Sequence, residues 1–406
     1  MIKTASLFSQ LLHEFPRLDF QYLVKKHHSE KGAKGFSCWT QFVAMMFCHL
    51  AHADSLREIC HGLSCCEGKL NHLGIERPPK RSTLSYANEH RPAELFQDQF
   101  WYLLDRFRQQ GVLGMRKKIF RFKNKLMSLD STTISLCLSL FPWADFRRAK
   151  GGVKMHVLLD HGDYLPSYVL ITQARKHDKV VLKEDLRLTP GSIVTFDRGY
   201  NDYGLFGDWT AAGIFFVTRM KENACYRGVE ERPLAAHPHL LSDQIIQLTG
   251  PQAEKDCPHP LRRVVVWDAE NQREIVLLTN ILHLAASTIA AIYKDRWEIE
   301  LFFKTLKQNL KIKSFVGTSE NALRIQIWSA LIALLLLRWL QHLSHRSWSF
   351  SNLASMLRLN LFTYRDLKEW ILQPFGTPPE AKPEPAIVQL ALNLEVIGQP
   401  ILVPVR

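Results

Sequence analysis

The sequence predicts an α/β protein in three stretches: a helical segment over residues 1–118, an α/β core over 119–343, and an extension over 344–406. Three observations predict it. Apolar residues recur at helical spacing as far as Gly111. From Phe120 the spacing becomes that of strands, which then alternate with short helical patterns. Between about 221 and 285 the alternation lapses into strands alone, which marks a β-rich insertion within the core.

The N-terminal elements follow from spacing and punctuation. Ser37 to Ala53 carries Trp39, Phe42, Val43, Met46, Phe47 and Leu50 on one helical stripe. A short second helix over Ser55 to His61 follows the polar break at Asp54. Pro92 opens another, with Leu95, Phe96, Phe100, Leu103, Leu104 and Phe107 on one face, and Gly111 closes it. Between them lies the basic loop Glu76-Arg77-Pro78-Pro79-Lys80-Arg81, with Ser82 as a candidate helix cap. Short helices around a basic loop suit a DNA-binding domain, although no helix-turn-helix spacing is visible.

In the core, Lys125 to Leu136 reads as a strand that runs through Asp130. Gly151-Gly152 turns the chain into Val153–Leu159, and His161-Gly162-Asp163 turns it again into Tyr168–Thr172. A helix over about Lys179 to Leu186 leads to the strand Ser192–Phe196, which ends at Asp197. A helix over about Asn201 to Ala212 and the strand Ile214–Thr218 complete the pattern. Three antiparallel strands, then helix, strand, helix and strand, is the order of a ribonuclease H-like core. In the insertion, Leu261–Trp267 and Arg273–Ile281 read as a hairpin. Past Ser344 the signals fade, and residues 378–385 read as an extended proline-rich linker before an apolar tail.

Charge narrows the function. The chain of 406 residues has 52 Lys and Arg against 39 Asp and Glu, a formal charge of +13. Such a balance favours a polyanionic partner and is silent about fold. Residues Ala330 to Leu337 form the longest apolar run, too short for a bilayer and flanked by Arg324 and Arg338, so they read as a buried helix. No secretory signal is expected from the N-terminal pattern. Cys60, Cys65 and Cys66 lie near His61 and His72, but the spacing fits no zinc finger or ribbon; reduced thiols are the simpler reading.

The chemistry concentrates near the end of the core. Tyr293, Arg296, Glu300 and Lys307 stand three, seven and fourteen residues apart, offsets that return to nearly one azimuth on a helix starting near Ser287. Ile292, Ile299, Phe303, Leu306 and Leu310 fall on a neighbouring stripe that would face a core. Lys304 stands one turn after Glu300, as an intrahelical ion-pair partner or a further DNA contact. Asp130 sits in a strand of Ser, Thr and Leu, and Asp197 ends a strand, where sites in open α/β sheets are built. Three carboxylates without His or Cys are a hard-oxygen set, suited to Mg2+ or Mn2+ and not to zinc.

Tyr-x2-Arg-x3-Glu-x6-Lys resembles the signature of the transposases of bacterial insertion-sequence family four. Phe196-Asp197-Arg198-Gly199-Tyr200, Lys154-Met155-His156, Phe216-Val217-Thr218-Arg219 and Leu278-Thr279-Asn280 resemble that family as well. The resemblance is strong over about 120–340. It implies a cut-and-paste DNA transposase with an Asp-Asp-Glu triad on a ribonuclease H-like core. Asp130, Asp197 and Glu300 would be catalytic and would hold two Mg2+ or Mn2+ ions. Tyr293, Arg296, Lys307 and Arg219 would touch DNA phosphates. The reaction would cleave transposon ends through a hairpin and transfer strands into target DNA. Partners would be double-stranded DNA, at terminal inverted repeats and target, and a second copy in the synaptic complex, with no membrane. A cytoplasmic, nucleoid-associated location follows from the same resemblance. Lys154 and His156 share one face of their strand and would border the site, with a core position the commoner fate of His156; Trp267 or Trp297 would stack on an unstacked base, with packing the commoner fate of Trp297. The rivals are a non-mobile, domesticated DNA-binding regulator of the same fold and a nuclease without strand transfer.

Overall fold

The computed structural model describes residues 5–375 apart from 67, 112, 114–119, 148–149, 176–185, 235–238, 313 and 345–347. The helix expected over 179–186, the linker at 378–385 and the apolar tail lie outside the described residues, save Leu186, which is buried.

Six helices come first: α1 Leu7–Leu12, α2 Arg17–Lys26, α3 Cys38–Leu50, α4 Leu56–Ser64, α5 Arg81–His90 and α6 Glu94–Gln109. Ser37 and Ser55 cap α3 and α4 by accepting hydrogen bonds from the amides of Thr40 and Glu58. The Ser82 cap does not form: α5 begins one residue earlier, at Arg81, with no side chain capping it. Gly111 stops the chain after α6 in the left-handed region at φ 63°, which favours glycine. All 13 residues of α3 are buried. Its Phe42 packs on Phe15, Phe20, Trp39 and Phe96.

The sheet holds β1 Leu126–Leu136, β2 Asp145–Arg147, β3 Lys150–Asp160, β4 Leu165–Gln173, β5 Ile193–Phe196, β6 Phe215–Arg219, β7 Tyr226–Glu231, β8 Leu240–Leu248, β9 Leu261–Asp268 and β10 Arg273–Thr279. Its order is β2-β3-β1-β5-β6-β10-β9-β8-β7, with β4 also paired to β3. β4, β3 and β1 form the expected antiparallel meander, and β1, β5 and β6 are parallel. This mixed α/β arrangement fits a ribonuclease H-like core. The insertion continues the same sheet: β10 pairs antiparallel with β6, and β9, β8 and β7 follow outward. Helix α7 (Tyr203–Ala211) covers one face, and α8 (Pro251–Asp256) packs beside it.

On the other face lie α9 (Ala286–Asp295) and α10 (Trp297–Asn309), then α11 (Glu320–Leu343), α12 (Phe350–Asn360) and α13 (Leu367–Leu372). Helix α11 is long and apolar enough to cross a bilayer by length and composition, but 89% of its apolar window is buried inside the protein. It is the axis of the largest core, which joins α1–α6, α10–α13 and one face of β1, β3 and β4. Its buried Gln326 is satisfied by the loop before it, donating to Lys311 and Ser314 carbonyls and accepting from the Val316 amide. The extension therefore carries two helices that the sequence did not reveal. Leu353, Leu357, Trp370 and Ile371 are buried there, and the Leu7 and Phe8 amides donate to Thr363 and Leu361 carbonyls. A second core lies under α7 and a third between α9 and β5, β6 and β10.

Candidate active site

Strand register decides which side chains meet. Leu129 pairs with Phe196 in the parallel β1–β5 ladder, and Phe196 with Thr218 in β5–β6. The next residues are Asp130 on β1, Asp197 just past the end of β5 and Arg219 on β6, so the register brings them to neighbouring positions at one end of the parallel strands. The pleat turns Ser128, Asp130 and Ile134 to the face covered by α9 and α10, and Leu129 to the face covered by α7. Asn201 ties the loop after Asp197 to β6: its amide donates to the Arg219 carbonyl and its oxygen accepts from Thr218 Oγ1.

The motif does not lie on one continuous helix. Helix α9 ends at Asp295, Arg296 is a turn residue, and α10 starts at Trp297. The Arg296 amide bonds three residues back to Tyr293, a tightening of the ladder at the break. Arg296 keeps a right-handed helical backbone, so the offsets still bring the motif toward one side. Ile292, Ile299, Phe303, Leu306 and Leu310 are buried, as the neighbouring stripe required.

Arg296 connects the carboxylates. Its Nη2 donates to Glu300 Oε1 at 2.7 Å, and its Nη1 lies 3.7 Å from Asp130 Oδ2. Glu300 thus pairs with Arg296 and not with Lys304, which is exposed. Arg296 is only 9% exposed. Its guanidinium faces both carboxylates, whose side chains are partly exposed at 22% for Asp130 and 33% for Glu300. Asp130 Oδ1 accepts from the Ser131 amide at 2.7 Å. Burial pushes the Asp130 carboxyl up to about 6; the Ser131 amide and Arg296 oppose this, while Glu300 and Asp197 reinforce it. Two negative groups therefore lie close enough to Asp130 to disfavour its charge.

Tyr293 is half-buried, and burial raises its hydroxyl pKa, with Asp197 and Arg219 acting on it as well. Lys307 Nζ donates to the Thr133 carbonyl at 3.2 Å, along β1. Lys154 and His156 pair with Thr133 and Ser131, which puts both on the face away from Asp130. His156 is fully buried, with Nε2 3.2 Å from Thr172 Oγ1, so neither residue borders the site. Trp297 is 57% exposed and does not pack, contrary to expectation. Trp267 is half-buried on β9, in the hairpin. The Asp295 carboxylate, outside the motif's offsets and so unmarked by any sequence signal, holds His161 and Tyr164.

Among the described residues, no three His, Cys, Asp or Glu side chains converge tightly enough to hold an ion as they stand, neither the Cys60 neighbourhood nor the carboxylate triad. At the triad, Arg296 occupies the position of positive charge between Asp130 and Glu300. The donor chemistry nonetheless fits a divalent cation: three carboxylates, one of them Asp130, whose burial outweighs the compensation from Arg296 and the Ser131 amide.

Comparison with known proteins identifies the family. Residues 121–336 match the family described as the transposase DDE domain, and residues 3–76 match a domain of unknown function (DUF4372). A putative transposase, y4zB, of Sinorhizobium fredii is 33% identical over 313 residues, covering 75% of this chain and 84% of the relative. A probable transposase for insertion sequence element IS5377 of Geobacillus stearothermophilus is 33% identical over 226 residues, covering 55% of this chain and 59% of the relative. A putative transposase for insertion sequence element IS4SA of Synechocystis is 29% identical over 268 residues, covering 64% and 71%.

Proposed function

The chain belongs to the DDE-domain transposases of insertion sequences, and on that premise we propose that this DNA transposase cuts the ends of its element and joins them to target DNA through Asp130, Asp197 and Glu300. The observation that carries the assignment is the register of adjacent parallel strands β1 and β5, which carries Asp130 on β1 and Asp197 directly after β5, with Glu300 linked to Asp130 through Arg296. The three carboxylates would hold Mg2+ or Mn2+. When bound, the cations would offset the charge that develops on the phosphate during displacement and favour ionisation of the attacking hydroxyl.

The protein's own groups divide the remaining work. Arg296 neutralises Asp130 and Glu300 and orients the Glu300 carboxylate. Tyr293 and Arg219, whose charges act near Asp197, would contact the scissile phosphate and its neighbour. Lys304 and Lys307 lie further along α10 and would track the strand backbone by charge. Exposed Trp297, next to Arg296, is the better candidate for stacking on an extruded base, and this supports a hairpin route.

Residues 1–118 are proposed to carry end recognition. Ser55, Arg57, Arg81, Ser82 and Ser85 line a cleft closed by Val316, beside the loop that follows α10. Arg57 and Arg81 are exposed. A synaptic dimer is proposed because both ends of an element must be held together.

Cleavage of DNA carrying the element's ends by the full chain in Mg2+, against Asp130→Ala, Asp197→Ala and Glu300→Ala, tests the assignment. Loss of cleavage with retained DNA binding in all three is expected. Normal cutting by Glu300→Ala would remove that residue from the site.

A further inference from the structure

Beside the carboxylates runs a buried chain of hydrogen bonds. Ser128 lies on β1, two residues before Asp130 and on the same face, and is completely buried. Its Oγ is 2.5 Å from His161 Nε2, and His161 Nδ1 is 2.5 Å from Asp295 Oδ2. The Tyr164 hydroxyl donates to both Asp295 oxygens, at 3.2 and 3.1 Å. The His161 and Asp295 side chains are only 6% and 13% exposed.

The two ends of this chain matter. Asp295 is the last residue of α9, and the next residue, Arg296, is the break before α10. His161 sits in the β3–β4 turn, and its amide donates to the Leu126 carbonyl, at the start of β1. A Ser-His-carboxylate series resembles a nucleophilic triad, but a sealed Ser128 hydroxyl meets no substrate. A carboxylate in this setting costs free energy unless its partners hold it in place. What the contacts achieve is connection: they fasten the helix break to the strand that carries Asp130.

We propose that Ser128, His161, Asp295 and Tyr164 form a latch that fixes the α9–α10 break against β1, and so sets the positions of Arg296 and Glu300 relative to Asp130. These are positioning residues, and their effect on turnover rests on the cleavage function proposed above. The latch itself does not. With it released, α10 would keep its apolar packing, but the break would lose its anchor, and Glu300 would sample positions away from Asp130.

The test uses full-length His161→Phe, which fills the space without hydrogen bonds, and His161→Gln, which can donate to Asp295 and accept from Ser128. Leu104→Ala in α6 is the control for general destabilisation. His161→Phe should lower single-turnover cleavage about tenfold or more while the Kd for end DNA stays within about twofold. Amide exchange across 296–301 should rise about tenfold above that of Leu104→Ala. His161→Gln should recover most of both. A His161→Phe protein indistinguishable from Leu104→Ala, or a His161→Gln protein no better than His161→Phe, would overturn the latch. If His161→Phe does not fold, Ser128→Ala must show the same pattern at about threefold, and wild-type behaviour there overturns it equally. If the wild type cuts no DNA, the cleavage reading falls, and the exchange comparison alone decides the latch.

Discussion

Replacing Asp130 by Asn should stabilise the protein when no divalent ion is present. The carboxyl moves from its ordinary 3.8 to about 6, chiefly through burial. The folded state thus holds this proton more tightly than the unfolded chain does. Relative to the neutral acid the group costs nothing below pH 3.8, the cost grows as pH rises from there, and it reaches its full amount above about 6. At about 1.4 kcal/mol per pKa unit the cost approaches about 3 kcal/mol. The side chain is 22% exposed, so solvent reduces this to on the order of 2 kcal/mol. Asn keeps the oxygen that accepts from the Ser131 amide, so little else changes. Urea unfolding in chelator at pH 8 should show Asp130→Asn more stable by that amount, with the gap closing by about pH 4. Adding Mg2+ should narrow the gap, because an ion bound only by the folded wild type stabilises it. If Asp130→Asn is less stable than the wild type at pH 8, the carboxylate is not uncompensated and the electrostatic account of the site is wrong.

Cleavage should require Mg2+ or Mn2+, with no rescue by Zn2+, and full turnover in excess chelator would exclude an oxygen-ligated cation site. Arg57→Ala with Arg81→Ala should weaken end-DNA binding several-fold and flatten its dependence on salt, measured by fluorescence anisotropy across salt concentrations; an unchanged salt slope would take the cleft out of the interface. Trp297→Ala should still nick the transposon end but accumulate less hairpin on a denaturing gel, and normal hairpin yield would leave the exposed indole without that role. Deleting residues 1–118 should leave an insoluble remainder, because α3 and α6 cover α11; a soluble, cooperatively melting product would show that the remaining chain folds alone.

How much was legible depended on the range of the signal. Helices α3 and α6 and strands β1, β5 and β6 were readable because each is specified by its own apolar period. Helices α12 and α13 were missed, since both are short and take their stability from α11 and from the N-terminal segment. The break at Arg296 was missed for a related reason: Tyr293, Arg296 and Glu300 keep helical offsets on both sides of it, so periodicity cannot show the interruption. Lys154 was expected beside the site because a strand period gives two faces without saying which one holds it, while His156 is the core histidine that was its commoner expected fate. Only the pairing of His156 with Ser131 assigns the face.

The sequence by itself offered the candidate chemical set. It named Asp130, Asp197 and Glu300, the cations spaced around Glu300, and the strand and helix order that could bring them together, because those properties are local along the chain. Tertiary structure decided the rest. Parallel register put Asp130 beside Asp197; the guanidinium of Arg296 turned to Asp130 and Glu300 and away from solvent; burial raised the Asp130 carboxyl; and His161 joined a β-turn to the break before α10. Each of these arises between residues distant in sequence, through distance and desolvation, and neither quantity is written in the order of the amino acids.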